Sequence, residues 1–505
     1  MKELQLLTAS AAELQALLHS GDLTSVQLVK ACLNQIAKYD RSGPTLRAIV
    51  ATPSKEEVLS IAARLDKERA AGQVRGPLHG IPIIVKDSIN TDPSLGMPTT
   101  LGSYAFDKSR PRGNAVVVQT ARELWYSGFW ERDLTSKGDN ITSGWSALNG
   151  QTQSAYIQGG VKHREMRLGH TAPGGSSSGS AVGVSAGYSP LSIGTEADGS
   201  LCTPASRAAL YGMKPTVGST PMDGVFVIST AFDTLGGMAK TVEDLATLIG
   251  YIQGKAPGSS ADYRAVFQRD WSGLRLGFVD PEKWMLPPTL VTPIEEVNMQ
   301  IKSSYEAVMN KIQSSGGQVV YPVELVHPKE NGIGKAMDTI FADYEPRAAV
   351  AAYLKTRDDP DMKSMEDIAK FNIDHADLEL PEDYPNQNAI LDALNHSITA
   401  ADYEAAKATL HREALENGVR RVMDESKLDA IIGPTDGPLA SIAAACGGPI
   451  ATMPVGLLNL HGRPFGLSVI TLPNHDEVLF RVMSAWEASF PGRALPPLHY
   501  EQEKG

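Results

Sequence analysis

Residues 171–200 read TAPGGSSSGSAVGVSAGYSPLSIGTEADGS. Glycine and serine dominate this segment, and one interpretation of such a composition is a flexible linker. The order of the residues favours a folded element instead. Residues 181–186 have the pattern of a short helix, 191–195 that of a buried strand, and 196–200 that of a sharp polar turn. A linker has no reason to keep this order, so we predict that the segment lies inside a folded domain.

The sequence around this segment predicts a large sheet covered by helices. Upstream, residues 81–85 form a short apolar run after Gly80, which is typical of a strand buried on both faces. Downstream, helical and strand patterns alternate, as they do in α/β proteins. We therefore predict a single large α/β domain in which a twisted, mixed β-sheet is sandwiched between α-helices. The predicted helices lie at about 241–253, 294–315 and 400–424, and the predicted strands at 274–279, 318–323, 430–433, 450–455 and 466–470.

We expect one domain over residues 1–505, with three regions that differ in composition. The first region is helical, and Ser10 and Glu13 are spaced as a capping box at the start of its first helix. The last region is acidic and weakly periodic, and we interpret it as an excursion that covers the sheet. The regions are a helical amino-terminal segment at about 1–70, a core with the glycine-rich motifs at about 75–220, and the acidic excursion at about 355–398.

Composition and charge exclude several classes of protein. Lys plus Arg is 46 and Asp plus Glu is 58, a net charge of −12, and no basic run could release the counterions of a nucleic acid. Cys32, Cys202 and Cys446 form no CxxC pair and no HExxH motif is present, so we expect neither a metal nor a cofactor. The sequence contains no secretory signal and no apolar run of about 18 residues, so we expect no membrane span. We expect a cytoplasmic protein that is a monomer or a homodimer.

Lys86 stands directly after the apolar run, where a charged side chain is costly to bury. In one interpretation, its ammonium group reaches solvent or pairs with Asp87. In the other, Lys86 is desolvated, its pKa is lowered, and the neutral amine acts as a general base. The residues alone leave both interpretations open.

Four serines in glycine-flanked turns, Ser176, Ser177, Ser178 and Ser200, also have two interpretations. Serine and glycine favour turns and helix caps, which is a structural role. Glycine also lets backbone N–H groups point into a site, and a serine beside such groups can be a nucleophile. A nucleophilic serine needs a base. His170 is the nearest histidine in sequence, and a lysine competes with it because no clear GxSxG elbow is present.

The order of these motifs resembles that of the amidase signature family of serine hydrolases over about residues 7–497. The motifs that carry the resemblance are GPLHGIPIIVKDSIN at 76–90, PGGSSSGS at 173–180, GTEADGSLCTP at 194–204 and GMKPT at 212–216. SGWSA at 143–147 and TEADGS at 195–200 make the chain similar to the bacterial peptide amidase branch in particular. We interpret Cys202 as a small packing residue and not as a second nucleophile. The positions that differ from the family pattern, and that we expect to affect substrate preference, are Cys202, Arg207, Ala208 and Ala209.

The resemblance implies an amidase, an enzyme that hydrolyses the C–N bond of a carboxamide through an acyl-serine. The implied substrate is a C-terminal peptide amide or another neutral aryl or alkyl amide. Two alternatives stay open: a glutamine-hydrolysing component of a transamidation enzyme, and a degenerate family member without activity. By motif, the residues implied are the nucleophile Ser200, the bridging serine Ser176 in a cis peptide, the base Lys86, the supporting Ser177, and the oxyanion-hole residues Ala197, Asp198 and Gly199.

Residues 125–133, WYSGFWERD, do not fit this resemblance. Related chains carry here a buried strand and a Gly-Lys turn, whereas this chain has two tryptophans and three charges without a strand or helix period. Ordinary divergence of a surface segment is one interpretation. We favour a frameshifted or mis-spliced piece of coding sequence, because codons chosen for these residues can be read one base later as Gly-Ile-Leu-Val-Phe-Gly-Lys-Gly-Thr. This hypothesis predicts poor packing around residues 125–135 and weak or absent activity, and the genomic DNA sequence decides it.

Overall fold

The computed structural model describes residues 4–120, 141–255 and 262–498. Within these residues, the strands form a large mixed β-sheet and two small two-stranded sheets. The strands of these residues are β1 (Ile83–Val85), β2 (Arg110–Pro111), β3 (Trp145–Ser146), β4 (Gly150–Gln151), β5 (Leu191–Glu196), β6 (Tyr211–Lys214), β7 (Thr234–Ala239), β8 (Arg275–Phe278), β9 (Gln318–Val320), β10 (Arg357–Asp358), β11 (Ala430–Pro434), β12 (Ile450–Leu457) and β13 (Pro464–Ile470). Nine of these described strands form the sheet, in the order β1-β5-β7-β6-β12-β13-β11-β8-β9. β1 is parallel to β5, and β8 is parallel to β9 and β11, whereas the other neighbours are antiparallel. The predicted mixed sheet is confirmed.

Helices connect the strands of the described residues. They are α1 (Ala11–Ser20), α2 (Ser25–Tyr39), α3 (Lys55–Ala70), α4 (Val116–Thr120), α5 (Ser178–Ser185), α6 (Cys202–Arg207), α7 (Val242–Ile252), α8 (Glu295–Ser314), α9 (Ile333–Met337), α10 (Pro346–Leu354), α11 (Met365–Asp374), α12 (Ala376–Glu379), α13 (Asn388–Asn395), α14 (Ala400–Leu410), α15 (Arg421–Ser426), α16 (Leu439–Ala445) and α17 (Asp476–Ser489). A π-helical segment, His411–Arg420, joins α14 to α15, so the long helix predicted at 400–424 is confirmed. None of the helices in this described part of the chain combines the length and the apolar character of a membrane span.

Helices cover both faces of the sheet, because successive side chains of a strand point to opposite faces. In β11, Ile432 packs in the same cluster as Tyr305 of α8, whereas its neighbour Ile431 packs in the same cluster as Ile442 of α16. All four side chains are completely buried. Burying one such side chain contributes roughly 1.5–3 kcal/mol. The prediction of a sheet sandwiched between helices is therefore confirmed.

A buried carboxylate anchors the first helix. Ser10 and Glu13 form the predicted capping box. Asp244 of α7 accepts hydrogen bonds from the backbone N–H groups of Ala11 at 2.6 Å and Ala12 at 3.0 Å, which have no acceptor within the helix. Burial raises the pKa of Asp244 to about 6, although these hydrogen bonds lower it. The carboxylate therefore ties α1 to the helix layer on the sheet.

The amino-terminal segment also contacts the last residues that the structure describes. Arg493 donates a hydrogen bond to the backbone carbonyl of Leu7, although the two residues are 486 positions apart. Tyr39 of α2 donates to the carbonyl of Leu498 at 3.1 Å. The first and last described segments of the chain are thus joined in space.

The acidic region 355–398 forms a small helical layer. It contains α11, α12 and α13, and its buried side chains pack in one cluster with Phe106 and Phe226. The members of this region in the cluster include Met365, Ile368, Ile390 and Ala393.

The segment for which we propose a frameshift, residues 125–133, lies outside the described residues. The packing expected around residues 125–135 is therefore not tested, and the hypothesis stays a prediction.

Candidate active site

Lys86 lies at the carboxyl end of β1, beside the corresponding end of β5. The two strands are parallel with Val85 opposite Ile193, and the backbone N–H of Lys86 donates to the carbonyl of Ile193 at 3.0 Å. The lysine is 1% exposed, so its amine does not reach solvent. Its Nζ lies 2.6 Å from Ser176 Oγ and donates to Thr195 Oγ1 at 2.8 Å. The interpretation in which the ammonium group escapes into water is therefore wrong.

The serine loop, which we define as Gly175, Ser176 and Ser177, precedes α5 and contacts β5. The peptide bond between Gly175 and Ser176 is cis. Ser177 Oγ donates to the carbonyl of Thr195 at 3.2 Å, and the Ser177 N–H donates to the carbonyl of Ser200 at 2.9 Å. The serine loop is thus held against both the end of β5 and Ser200.

A buried carboxylate shapes the turn from β5 to α6. Gly199 in this turn has a φ of 78°, the left-handed region that glycine adopts without steric cost. Glu196 is completely buried, and its Oε2 accepts hydrogen bonds from the N–H groups of Leu201 and Cys202 at 2.8 Å each. Because these groups lie at the amino end of α6, the carboxylate caps the helix. Ser200 lies between the glycine and the capped residues, and it is half-buried.

The site residues predicted from the sequence lie close together in this region. The sequence analysis did not identify two of their neighbours as part of the site. Thr195 accepts a hydrogen bond from Lys86, and Glu196 caps the helix that follows Ser200. Both stand in the TEADGS motif, and a polar pair at the end of a buried strand is the signal that could have identified them. The predicted residues that the fold gathers here are Lys86, Ser176, Ser177, Ala197, Asp198, Gly199 and Ser200.

Asp87, considered as a partner of Lys86, and His170, considered as a base for the serines, both make contacts with other residues. The carboxylate of Asp87 accepts from the hydroxyl and N–H of Thr100 and the N–H of Gly102, and burial raises its pKa to about 6 although these hydrogen bonds lower it. His170 Nε2 lies 2.7 Å from the carbonyl of Thr292, and burial lowers the pKa of this histidine. Lysine is thus the base candidate that contacts a serine. Among the described residues, no group of three or more His, Cys, Asp or Glu side chains could hold a metal ion.

Cys202, one of the departures from the family pattern, is enclosed in the core. It is completely buried, and its Sγ lies 3.8 Å from the carbonyl of Ile450. Burial raises the pKa of the Cys202 thiol well above its ordinary value. Since the thiolate is the nucleophilic form of cysteine, this environment agrees with a packing role.

Arg207, a second departure, fastens α6 to the segment before the serine loop. Its Nε and Nη2 donate to the two carboxylate oxygens of Asp436 at 3.1 Å each, and its Nη1 donates to the carbonyls of Gly169 and Ala172 at 2.9 and 3.0 Å. Burial alone would raise the pKa of Asp436, but the guanidinium groups of Arg207 and Arg463 hold it well below its ordinary value. Arg207 therefore acts as a buried, charged brace.

We expect Arg207→Met to lower the free energy of unfolding by about 3–5 kcal/mol, because it removes one partner of a buried ion pair. Urea denaturation followed by circular dichroism measures the change. Arg112→Met is the matched control, since the ion pair of Arg112 with Asp358 is exposed and contributes little. If both variants lose the same free energy of unfolding, the buried ion pair of Arg207 contributes no more to stability than the exposed ion pair of Arg112.

The chain is similar to known proteins both in sequence and in structure. A family profile described as Amidase matches residues 27–124 and 166–443. An X-ray structure of native peptide amidase from Stenotrophomonas maltophilia superposes with a TM-score of 0.83 at 31% identity, covering 97% of this chain and 98% of that chain. A protein of Arthroderma benhamiae named as an amidase is 29% identical over 94% of this chain and 80% of its own length. A glutamyl-tRNA(Gln) amidotransferase chain from Chloroflexus aurantiacus is 39% identical over 55% of this chain and 54% of its own length.

Proposed function

This chain belongs to the amidase signature family of amide-hydrolysing enzymes, and on that basis we propose that Ser200 is its nucleophile, Ser176 the bridging serine and Lys86 the base. The observation that carries the proposal is the 2.6 Å contact between Lys86 Nζ and Ser176 Oγ in a buried site beside Ser200. Ser177 supports this arrangement through its hydrogen bonds to β5 and Ser200. The residues whose backbone N–H groups would form the oxyanion hole are Ala197, Asp198 and Gly199.

The proposed reaction requires a neutral lysine. At its ordinary pKa of about 10.4, a lysine is neutral in fewer than about one molecule in a thousand at pH 7. Burial disfavours the charged form of an amine, which supports Lys86 as a base. Neutral Lys86 takes the proton of Ser176 while Ser176 takes that of Ser200, and the Ser200 oxygen attacks the carbonyl carbon.

The negative charge that develops on the carbonyl oxygen is stabilised by N–H groups of the turn between β5 and α6. The C–N bond then breaks, the proton held by Lys86 passes through Ser176 to the leaving nitrogen, and ammonia or an amine departs. Water enters, loses its proton along the same route, and attacks the acyl-serine. The carboxylic acid is released and Ser200 recovers its proton.

The substrate that we propose is a C-terminal peptide amide or another neutral aryl or alkyl amide. The support is the likeness to the Stenotrophomonas maltophilia peptide amidase over 97% of this chain. The test incubates the purified chain alone with peptide amides, aryl amides and alkyl amides and measures ammonia release, with Ser200→Ala as the blank. We expect release by the wild type from at least one class without any added partner protein, at a low rate if residues 125–133 arise from a frameshift.

The likeness to the amidotransferase chain favours a second candidate, a glutaminase that supplies ammonia for transamidation. We place it second because an amidotransferase chain that matches 98% of this chain is 26% identical to it, against 31% for the peptide amidase. Ammonia released from glutamine but from no peptide, aryl or alkyl amide would favour this candidate. A folded chain that releases ammonia from none of them would be a family member without activity.

We expect Thr195→Val to lower kcat about tenfold, because valine keeps the shape of threonine but removes the hydroxyl that accepts from Lys86. Steady-state ammonia release measures the effect. The control is Thr220→Val, which removes a hydrogen bond between the buried hydroxyls of Thr220 and Thr234. An unchanged kcat in Thr195→Val would show that the hydroxyl does not position the lysine.

A further inference from the structure

The turn from β5 to α6, which carries the proposed oxyanion hole, is held at both ends. On one side Glu196, the last residue of β5, pairs with β7, and on the other the carbonyl of Ser200 accepts from the N–H of Ser177 at 2.9 Å. Between these anchors, the N–H groups of Ala197 and Gly199 donate no hydrogen bond to any residue that the structure describes. Glycine gives the backbone here more rotational freedom than another residue would. A contact in the middle of the turn is therefore needed to fix the direction of these N–H groups.

Ser441 of α16 makes such a contact with Asp198. Its hydroxyl lies 2.9 Å from one carboxylate oxygen of Asp198 and 3.0 Å from the other. Ser441 is the donor, because an ionised carboxylate can only accept. The neighbouring Ala440 also meets the turn, since a Cβ added at Gly199 would lie 3.6 Å from the Cβ of Ala440. Two successive residues of α16 thus support two successive residues of the turn.

The helix that carries Ser441 is itself firmly placed. Leu439, its first residue, is buried in the same cluster as Ile431 of β11. Asp436, just before the helix, accepts from Arg207 of α6 and from Arg463, the latter at 2.7 Å. The same ion pairs therefore join α16 to α6, the helix that follows Ser200.

We propose that Ser441 is a positioning residue for the oxyanion hole. Its hydrogen bond to the Asp198 carboxylate keeps the N–H groups of the turn directed at the carbonyl oxygen of the substrate. The inference rests on the proposed function, because it presupposes that Ser200 attacks a carbonyl held by this turn. Donors of this kind act on the charge that develops in the transition state, so a misdirected donor slows the reaction more than it weakens substrate binding.

The hydrogen bond also fixes where the negative charge of Asp198 lies. This carboxylate belongs to the turn at which the substrate oxygen becomes negative, and two like charges repel. Ser441 holds the carboxylate against α16. Asp198 is exposed and Ser441 half-buried, and a hydrogen bond between such groups contributes little to the free energy of unfolding. Loss of the Ser441 hydroxyl should therefore affect the rate and not the stability.

The first experiment measures kcat and KM for amide hydrolysis in Ser441 variants. Ser441→Ala should lower kcat about tenfold, change KM less than about twofold and leave urea unfolding as in the wild type. Ser441→Thr keeps a hydroxyl and should restore most of kcat. The matched control is Ser303→Ala, since the Ser303 hydroxyl donates to the carbonyl of Gln300 within α8 and should have no effect.

A double-variant comparison tests whether Ser441 acts through Asp198. In a chain that already carries Asp198→Ala, Ser441→Ala should no longer change kcat, because the acceptor of the hydroxyl is absent. If Ser441→Ala lowers kcat by the same factor in both backgrounds, the hydroxyl does not act through this carboxylate and the inference is wrong.

A single reaction with Ser200 separates this inference from the proposed function. In an alkyl fluorophosphonate, the serine oxygen displaces fluoride from phosphorus while the P=O oxygen takes the place of the carbonyl oxygen, and mass spectrometry follows the labelling of Ser200. Ser441→Ala should slow this labelling about tenfold. If Ser200 is labelled and needed for turnover but Ser441→Ala reacts as fast as the wild type, the inference is wrong and the proposed function stands. If Ser200 is not labelled and Ser200→Ala keeps the wild-type rate, the proposed function fails and the inference fails with it.

Discussion

Ser200→Ala should lower kcat by at least about 10³-fold while the protein stays folded, because the acyl-serine can no longer form. Ser200 is half-buried beside the turn of backbone N–H groups, where an incoming carbonyl can meet both nucleophile and donors. Steady-state ammonia release measures the loss, and thermal unfolding followed by circular dichroism verifies the fold. If purified Ser200→Ala keeps more than a few per cent of the wild-type rate, Ser200 is not the nucleophile.

Cys202→Ala is the matched control for this loss. Cys202 is two positions from Ser200 and is enclosed in the core with its thiol protonated. We expect this variant to keep most of the wild-type kcat. A loss equal to that of Ser200→Ala, without unfolding, would reopen the interpretation of Cys202 as a nucleophile.

Lys86→Ala should lose nearly as much activity as Ser200→Ala, and the double variant should lose no more than either single one. Residues that act as a unit in one proton relay give effects that do not add. The relay begins at the contact between Lys86 Nζ and Ser176 Oγ, so its removal stops both proton transfers. The comparison is made by kcat, with Lys108→Ala, a substitution of an exposed lysine, as the control that should behave as wild type.

The dependence of the wild-type rate on pH also tests Lys86 as the base. Only the neutral amine of Lys86 can accept a proton, and the neutral fraction falls as the pH falls. The rate should therefore drop on the acid side and rise with pH until the amine is fully neutral. A profile that is flat down to about pH 5 would contradict a lysine base.

The contact between Lys86 and Ser176 could be predicted from the sequence only in part. The apolar run before Lys86 and the run at residues 191–195 both have the pattern of buried strands. That these strands are parallel neighbours, with Val85 opposite Ile193, follows from the whole sheet and not from either segment. The resemblance of the motifs to those of the amidase signature family implied that Lys86 lies beside the serines, which hydrophobic periodicity alone could not predict.

Two central strands, β6 and β7, were not predicted. Both contain glycine, which is depleted in strands because it weakens them. In β7, a Cβ added at Gly236 would come within 2.3 Å of the carbonyl oxygen of Met213 in β6. Glycine is needed there because the backbones approach closely, and that requirement exists only once the two strands are paired.

The short helices of the acidic region were also not predicted from the sequence. Residues 355–398 have weak periodicity because several short helices divide the region, and none of them is long enough to repeat a pattern.

During synthesis, the ribosome finishes Leu7 long before it makes Arg493, 486 positions later. At about 5–20 residues per second, the carbonyl of Leu7 waits about 25–100 s for this partner. Asp244 arrives about halfway through, since 233 positions separate it from Ala11. The amino-terminal segment thus depends on contacts that can form only late in synthesis, first with Asp244 and then with Arg493.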